Sequence, residues 1–238
     1  NFKNFINKID IKNTGFVFIS KSGTTPETIS QISCLIEKFN NEGKLKKFFK
    51  NCLIITENKK SPLFSIAHKN KIEILYHEKN IGGRFSVFSN VGMVPAILAG
   101  LNVKEIHAGA LQVIKHYLNS NYLKIGQFFR YQNINNKICN SIIMTYSDSL
   151  YFFGKWYLQL WAESIGKKNK GITPIHAVGT TDQHSQLQLY LDGPRDKFFT
   201  FITTNHSNKG LKLNNETMKT HNISYLINKN MGDLMQAE

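Results

Sequence analysis

Short apolar runs alternate with amphipathic stretches along this chain, and that alternation limits the folds open to it. Gly15–Ser20 is a short apolar run that suits a strand buried on both faces, and Cys52–Thr56 and Ile72–Tyr76 read as a second and a third strand. Helical stretches follow the first run to about Phe39 and the second over Pro62–Asn70. A mostly helical run from Val87 to about Tyr131 then leads to a second series: strand Ile142–Thr145, helix from Asp148 to about Lys167, strand Thr173–Val178, helix from His184 and strand Phe198–Thr203. Strand–helix alternation of this kind predicts an α/β architecture with parallel sheets flanked by helices. The Asn-rich stretch 132–137 reads as a linker and divides the chain into expected domains 1–132 and 133–238.

Composition narrows the function classes. The formal net charge is +14, but only Arg84, Arg130 and Arg195 among the 30 basic residues are arginine, and lysine is spread along the whole chain beside abundant Asn. Nucleic-acid binders gather Lys and Arg on one face, so no nucleic-acid partner is expected. A diffuse basic field still favours a small anionic substrate. No run of about 18 apolar residues and no signal-peptide pattern occurs, so no membrane association is expected. Cys34, Cys52 and Cys139 lack metal-ligand spacing and suggest free thiols in a reducing cytoplasm.

Three stretches carry candidate chemistry. The first run leads into Ser20-Lys-Ser-Gly-Thr-Thr-Pro-Glu-Thr28, a hydroxyl-rich turn at a helix start, with Pro26 and Glu27 suited to a first helical turn. Backbone N–H groups, the helix dipole and hydroxyls of Ser20, Ser22, Thr24 and Thr25 together suit a phosphate monoester. The plainer reading is a Ser/Thr-rich helix cap. After the third run comes Ile81-Gly-Gly-Arg-Phe-Ser86, at the same edge of the expected sheet. There Gly82 and Gly83 would let backbone approach a ligand, with Arg84 reaching over it; a tight turn bearing a solvated Arg is the alternative. The third stretch sets Glu163 on a helix flank of Trp161, Leu160 and Ile165, where desolvation would raise its pKa toward proton-transfer duty. His184, in a loop after strand Thr173–Val178, offers a second titrating group. The bland alternatives are a Glu163–Lys167 pair one turn apart and a capping histidine.

Ser20–Thr28, Gly-Gly-Arg-Phe-Ser at 82–86, Gln159-x-x-x-Glu163-x-x-x-Lys167 and Gln183-His-Ser185 resemble, in order, the motifs of the bacterial-type glucose-6-phosphate isomerase family. The resemblance spans most of the chain and implies two sugar-isomerase (SIS) domains, both incomplete here. It implies that Ser20, Ser22 and Thr25, with the Lys21 backbone, hold the sugar phosphate, and that Gly83 and Gln159 contact the substrate. Glu163 would move the proton between C2 and C1, Arg84 would stabilise an enediolate, and His184 would assist ring opening from the neighbouring subunit of a homodimer. No metal and no cofactor are implied. The family's upstream Ser-bearing phosphate turn and its C-terminal catalytic Lys are not in these 238 residues, so the chain is expected to be a piece of a longer enzyme and to have little activity alone. Competing expectations are a related isomerase acting on mannose 6-phosphate or on both sugars, with Thr180 and Thr181 near the discriminating contact, and a non-catalytic SIS sensor of sugar phosphates.

Overall fold

The computed structural model describes residues 2–118 and 138–238. The chain forms two compact units, 1–120 and 121–238, each described by itself. The linker expected at 132–137, Arg130 and the end of the helical run toward Tyr131 lie outside the described residues.

The first unit is a three-stranded parallel sheet in the order β1-β2-β3. A short helix α1 (Phe2–Ile6) precedes β1 (Phe16–Ile19) and α2 (Pro26–Asn41). A helix that sequence patterning missed, α3 (Leu45–Lys50), leads into β2 (Cys52–Thr56). Then come α4 (Pro62–Asn70) and β3 (Glu73–Tyr76). In-register pairs run Phe16 to Cys52 and Leu53 to Glu73, so all three strands end at one edge. β1, expected to be buried on both faces, alternates instead between buried and half-buried residues; β2 is buried except at Leu53, and β3 is exposed at Glu73 and Tyr76. The core is aromatic on the α2–α3 side. Phe39 stacks on Phe48 at 5.1 Å and Phe16 meets Phe48 edge-on at 5.0 Å. Ile32, Leu35 and Phe39 of α2 face it at helical spacing. After β3 a 3₁₀ turn (Gly83–Phe88) opens onto α5 (Asn90–Leu98) and α6 (Val103–Leu118).

The second unit is also a three-stranded parallel sheet, ordered β5-β4-β6. β4 (Asn140–Tyr146) is the central strand and is buried over six of its seven residues. It is followed by a 3₁₀ turn (Asp148–Leu150) and α7 (Tyr151–Ile165), so the helix expected from Asp148 to about Lys167 is shorter at both ends. β5 is Thr173–Val178, as expected, and α8 spans Thr181–Asp192. β6 (Lys197–Thr203), α9 (Asn215–Thr220) and α10 (Met231–Ala237) complete the unit. An Asn230–Asp233 capping box starts α10. Since β5 and β6 pair on opposite sides of β4, the first crossover carries the chain from β4 to one edge and the second carries it from β5 back across β4 to the other. Among the described residues no helix is long and apolar enough to cross a membrane.

All three cysteines are free thiols. Cys52 lies in the first unit's core, where burial pushes its thiol pKa up to about 12. Thiolate is the reactive form, so Cys52 should resist iodoacetamide at pH 8 in the native state and react on unfolding. Peptide mapping before and after adding guanidinium chloride checks this, and native-state labelling of Cys52 would contradict the packing.

Candidate active site

Two loops leave the same edge of the first sheet. The loop after β1 is turned by Gly23, whose φ is +67°. A Cβ there would stand 2.1 Å from Ser61 Oγ, so glycine is required by both conformation and space. Ser61 is itself the N-cap of α4, accepting from the Phe64 N–H. Loop and helix start are thus packed together. Ser20 is buried, and its Oγ lies 2.8 Å from Thr25 Oγ1 and accepts from the Gly23 N–H at 3.1 Å. Ser22 Oγ and Thr24 Oγ1 pair at 2.7 Å. Thr25 occupies the N-cap of α2, yet its side chain makes no capping hydrogen bond. The helix-cap reading therefore does not account for these hydroxyls, and the positive end of a 16-residue helix faces them.

The loop after β3 holds Arg84 half-buried, its guanidinium 4.5 Å above the Phe85 ring. Ser86 Oγ donates to the Gly83 carbonyl at 2.6 Å and the Phe85 N–H donates to Gly82 O at 2.9 Å, fixing the turn around Arg84. Neither Gly82 nor Gly83 has left-handed backbone, and a Cβ on Gly83 would meet nothing within 4 Å. The unit's own packing gives no reason for glycine at 83. Sequence reading considered only the Lys21 backbone, but its side chain joins the two loops: Nζ donates to Ile81 O at 2.8 Å and Lys79 O at 3.1 Å.

In the second unit, Gln159 and Glu163 sit one turn apart on α7, and Gln159 Nε2 donates to Glu163 Oε1 at 3.0 Å. The amide thereby orients the carboxylate. Glu163 is exposed within its unit, which corrects the expectation that neighbouring Trp161, Leu160 and Ile165 bury it: Trp161 and Ile165, two residues to either side, point away, and Leu160 one turn back does not cover it. Trp161 instead anchors the helix end, donating from Nε1 to Ile172 O at 3.0 Å. Near the other end, Gly154 lies against the His176 ring, where a Cβ would be 2.3 Å from Nε2. Burial, and then the Lys155 charge, lower the His176 pKa, while Asp182 opposes them.

These anchors show that α7 runs antiparallel to β5 and delivers Glu163 to the sheet edge where β5 begins. His184 is at the opposite edge. It belongs to the first turn of α8 rather than to a loop, because that helix starts three residues earlier, and it is exposed. The Val178 N–H donates to Asp182 Oδ2, which ties this turn to the end of β5. The six residues of β5 separate the two edges by ~20 Å. One copy of the unit does not bring Glu163 and His184 together.

Arg195, the remaining described arginine, is exposed beside the start of β6. Among the described residues no group of three or more His, Cys, Asp or Glu side chains is arranged to hold a metal.

The family profile described as phosphoglucose isomerase matches residues 1–228. The chain belongs to the phosphoglucose isomerase family. The resemblance read from the four motifs is borne out over nearly the whole chain. The glucose-6-phosphate isomerase of Methanocaldococcus jannaschii is 39% identical over 205 residues, covering 83% of this chain and 49% of that protein. That of Campylobacter jejuni is 36% identical over 214 residues, covering 87% and 52%. The chain spans about half the length of the curated relatives it matches. Among solved structures, a hypothetical protein of Thermus thermophilus superposes with a TM-score of 0.87 at 26% identity, over 99% of this chain and 58% of that one. A glucose-6-phosphate isomerase from Chlamydia trachomatis shares the fold, with a TM-score of 0.73 at 24% identity over 94% of this chain and 47% of that one.

The loop glycines of this chain are expected to behave differently. Gly23→Ala should destabilise the first unit by ~1–3 kcal/mol, from left-handed backbone and the Ser61 clash, whereas Gly83→Ala should change stability by less than ~0.5 kcal/mol. Denaturant unfolding of both variants checks the contrast.

Proposed function

We propose that the whole protein interconverts glucose 6-phosphate and fructose 6-phosphate in the cytoplasm, as a homodimer. The carrying observation is in the first unit. An uncapped helix start ringed by the hydroxyls of Ser20, Ser22, Thr24 and Thr25 shares a sheet edge with the Arg84 loop, and Lys21 ties the two together. A phosphate-holding turn next to a cation is what a phosphorylated sugar with a developing oxyanion requires.

In this reading Ser20, Ser22, Thr25 and the Lys21 N–H hold the phosphate, and Gly83 lets backbone approach the sugar. His184 assists ring opening, giving the open-chain aldehyde. Glu163 takes the proton from C2; the C2–H electron pair forms the C1–C2 double bond, and the aldehyde oxygen gains negative charge beside Arg84. Moving the hydroxyl proton from O2 to O1 and returning the Glu163 proton to C1 completes the ketose. One carboxylate serves both carbons, so atoms and charge balance without an external acid or oxidant. Gln159 keeps the carboxylate oriented throughout.

The separation of Glu163 and His184 across β5 supports the homodimer. A single sugar cannot touch both groups of one copy, so His184 serves the site of the neighbouring subunit.

Two measurements test this reading on the whole protein. Glu163→Gln preserves shape but removes the base, and should lower turnover of fructose 6-phosphate on the order of 10³-fold in a coupled assay. Activity that survives the change puts the base elsewhere. For the assembly, Glu163→Gln and His184→Asn should each be nearly inactive alone. After mixing and subunit exchange, half the dimers carry one intact site of two, so about a quarter of wild-type activity should return. No recovery despite proven exchange would place both groups on one subunit.

A further inference from the structure

The Lys21 side chain does something that an anion-binding loop does not by itself require. All three directions of its ammonium are occupied: Ile81 O at 2.8 Å, Lys79 O at 3.1 Å and Glu57 Oε1 at 3.4 Å. Its own carbonyl accepts from the Glu57 N–H at 3.1 Å and from Thr56 Oγ1 at 3.3 Å, so the residue is fixed at both ends. Pairing with Glu57 neutralises a carboxylate that would otherwise repel an anion at this sheet edge, and it removes the charge that a phosphate-binding lysine would offer.

His77 acts on the same carbonyl. It is 4% exposed at the end of β3, and its Nε2 lies 3.1 Å from Ile81 O, a donation that requires the Nε2–H tautomer. Its Nδ1 is then a buried acceptor without a partner. Leaving a buried polar atom unmatched is unfavourable, so the ring's one hydrogen bond, to Ile81, is what the position secures. Both of that carbonyl's lone pairs are thereby used. The next residues are Gly82 and Gly83, the freest backbone in the loop, and then Arg84.

We propose that Lys21 is a positioning residue: its side chain, with His77 sharing the Ile81 carbonyl, clamps the Gly82–Arg84 loop to the phosphate turn and so sets Arg84 for catalysis, rather than binding the anion itself. The catalytic half rests on the isomerase reading; the clamp does not.

The test uses the whole protein with Lys21→Met, which keeps the backbone N–H and the stem but removes the donors. Amide exchange across residues 79–88 should speed up by about tenfold or more while β1 and β2 amides stay protected. Turnover should fall on the order of 10- to 100-fold. The KM for fructose 6-phosphate and inhibition by inorganic phosphate should each move less than about threefold. In an Arg84→Ala background, Lys21→Met should add less than about threefold, because its effect passes through Arg84. A tenfold weaker KM and phosphate inhibition with turnover preserved would make Lys21 an anion ligand and overturn the proposal. Unchanged exchange at 79–88 would overturn it as well. If the unsubstituted protein shows no isomerase activity, the isomerase reading falls with the catalytic half, and exchange alone decides the clamp. Should Lys21→Met not fold, His77→Leu removes the second donor to Ile81 O and must loosen the same segment, or the clamp is rejected.

Discussion

Parallel pairing of β1, β2 and β3 is the constraint on which the first unit's chemistry depends. With three strands in register and pointing the same way, every strand-to-helix loop emerges at one edge, whatever the sequence between. The hydroxyl turn and the arginine turn are therefore neighbours although some sixty residues separate Ser20 from Arg84. The aromatic packing of Phe16, Phe39 and Phe48 holds α2 against this sheet, so the start of that helix cannot drift away from the edge it serves.

The same rule has the opposite outcome in the second unit. A right-handed crossover must carry the chain from the end of one strand to the beginning of the next, so a residue late in α7 and a residue early in α8 are sent to different edges. Glu163 and His184 are only about twenty residues apart in sequence, yet the geometry of the connection divides them. Gly154 and Trp161 set the height and rotation of α7 on β5, and with them the direction in which the Gln159–Glu163 pair faces.

Much of this was legible in the sequence. Five of the six strands could be read to within one residue at each end because short, largely apolar runs between polar turns leave few alternatives, and the hydroxyl turn could be placed because Pro26 and Glu27 mark a helix start. The sixth, β4, extends two residues beyond its apolar run, through Asn140 and Ser141, where ladder hydrogen bonds continue in residues that look like loop. α3 was missed because Leu45–Lys50 carries three lysines in six residues and only Phe48 is buried. Glu163 was misjudged for a geometric reason: Trp161 and Ile165, at i±2, point to other sides of the helix, and Leu160 alone, at i−3, is too little to cover the carboxylate. Lys21 was undervalued because nothing in a linear motif says which way a flexible side chain turns. The partners that define its role are two backbone carbonyls of another loop, which no residue type announces. His77 was passed over because it lies just past the strand that ends at Tyr76.

The packing of Gly23 against Ser61 has a thermodynamic consequence. Because the turn after β1 is wedged against the residue that starts α4, it cannot rearrange without also unravelling that helix's first turn. Its hydroxyls and N–H groups are arranged when the unit folds, not when an anion arrives. Ordering entropy that a floppy loop would lose on association has already been lost, so the turn is a preorganised receptor and most of any attraction it exerts remains available as affinity.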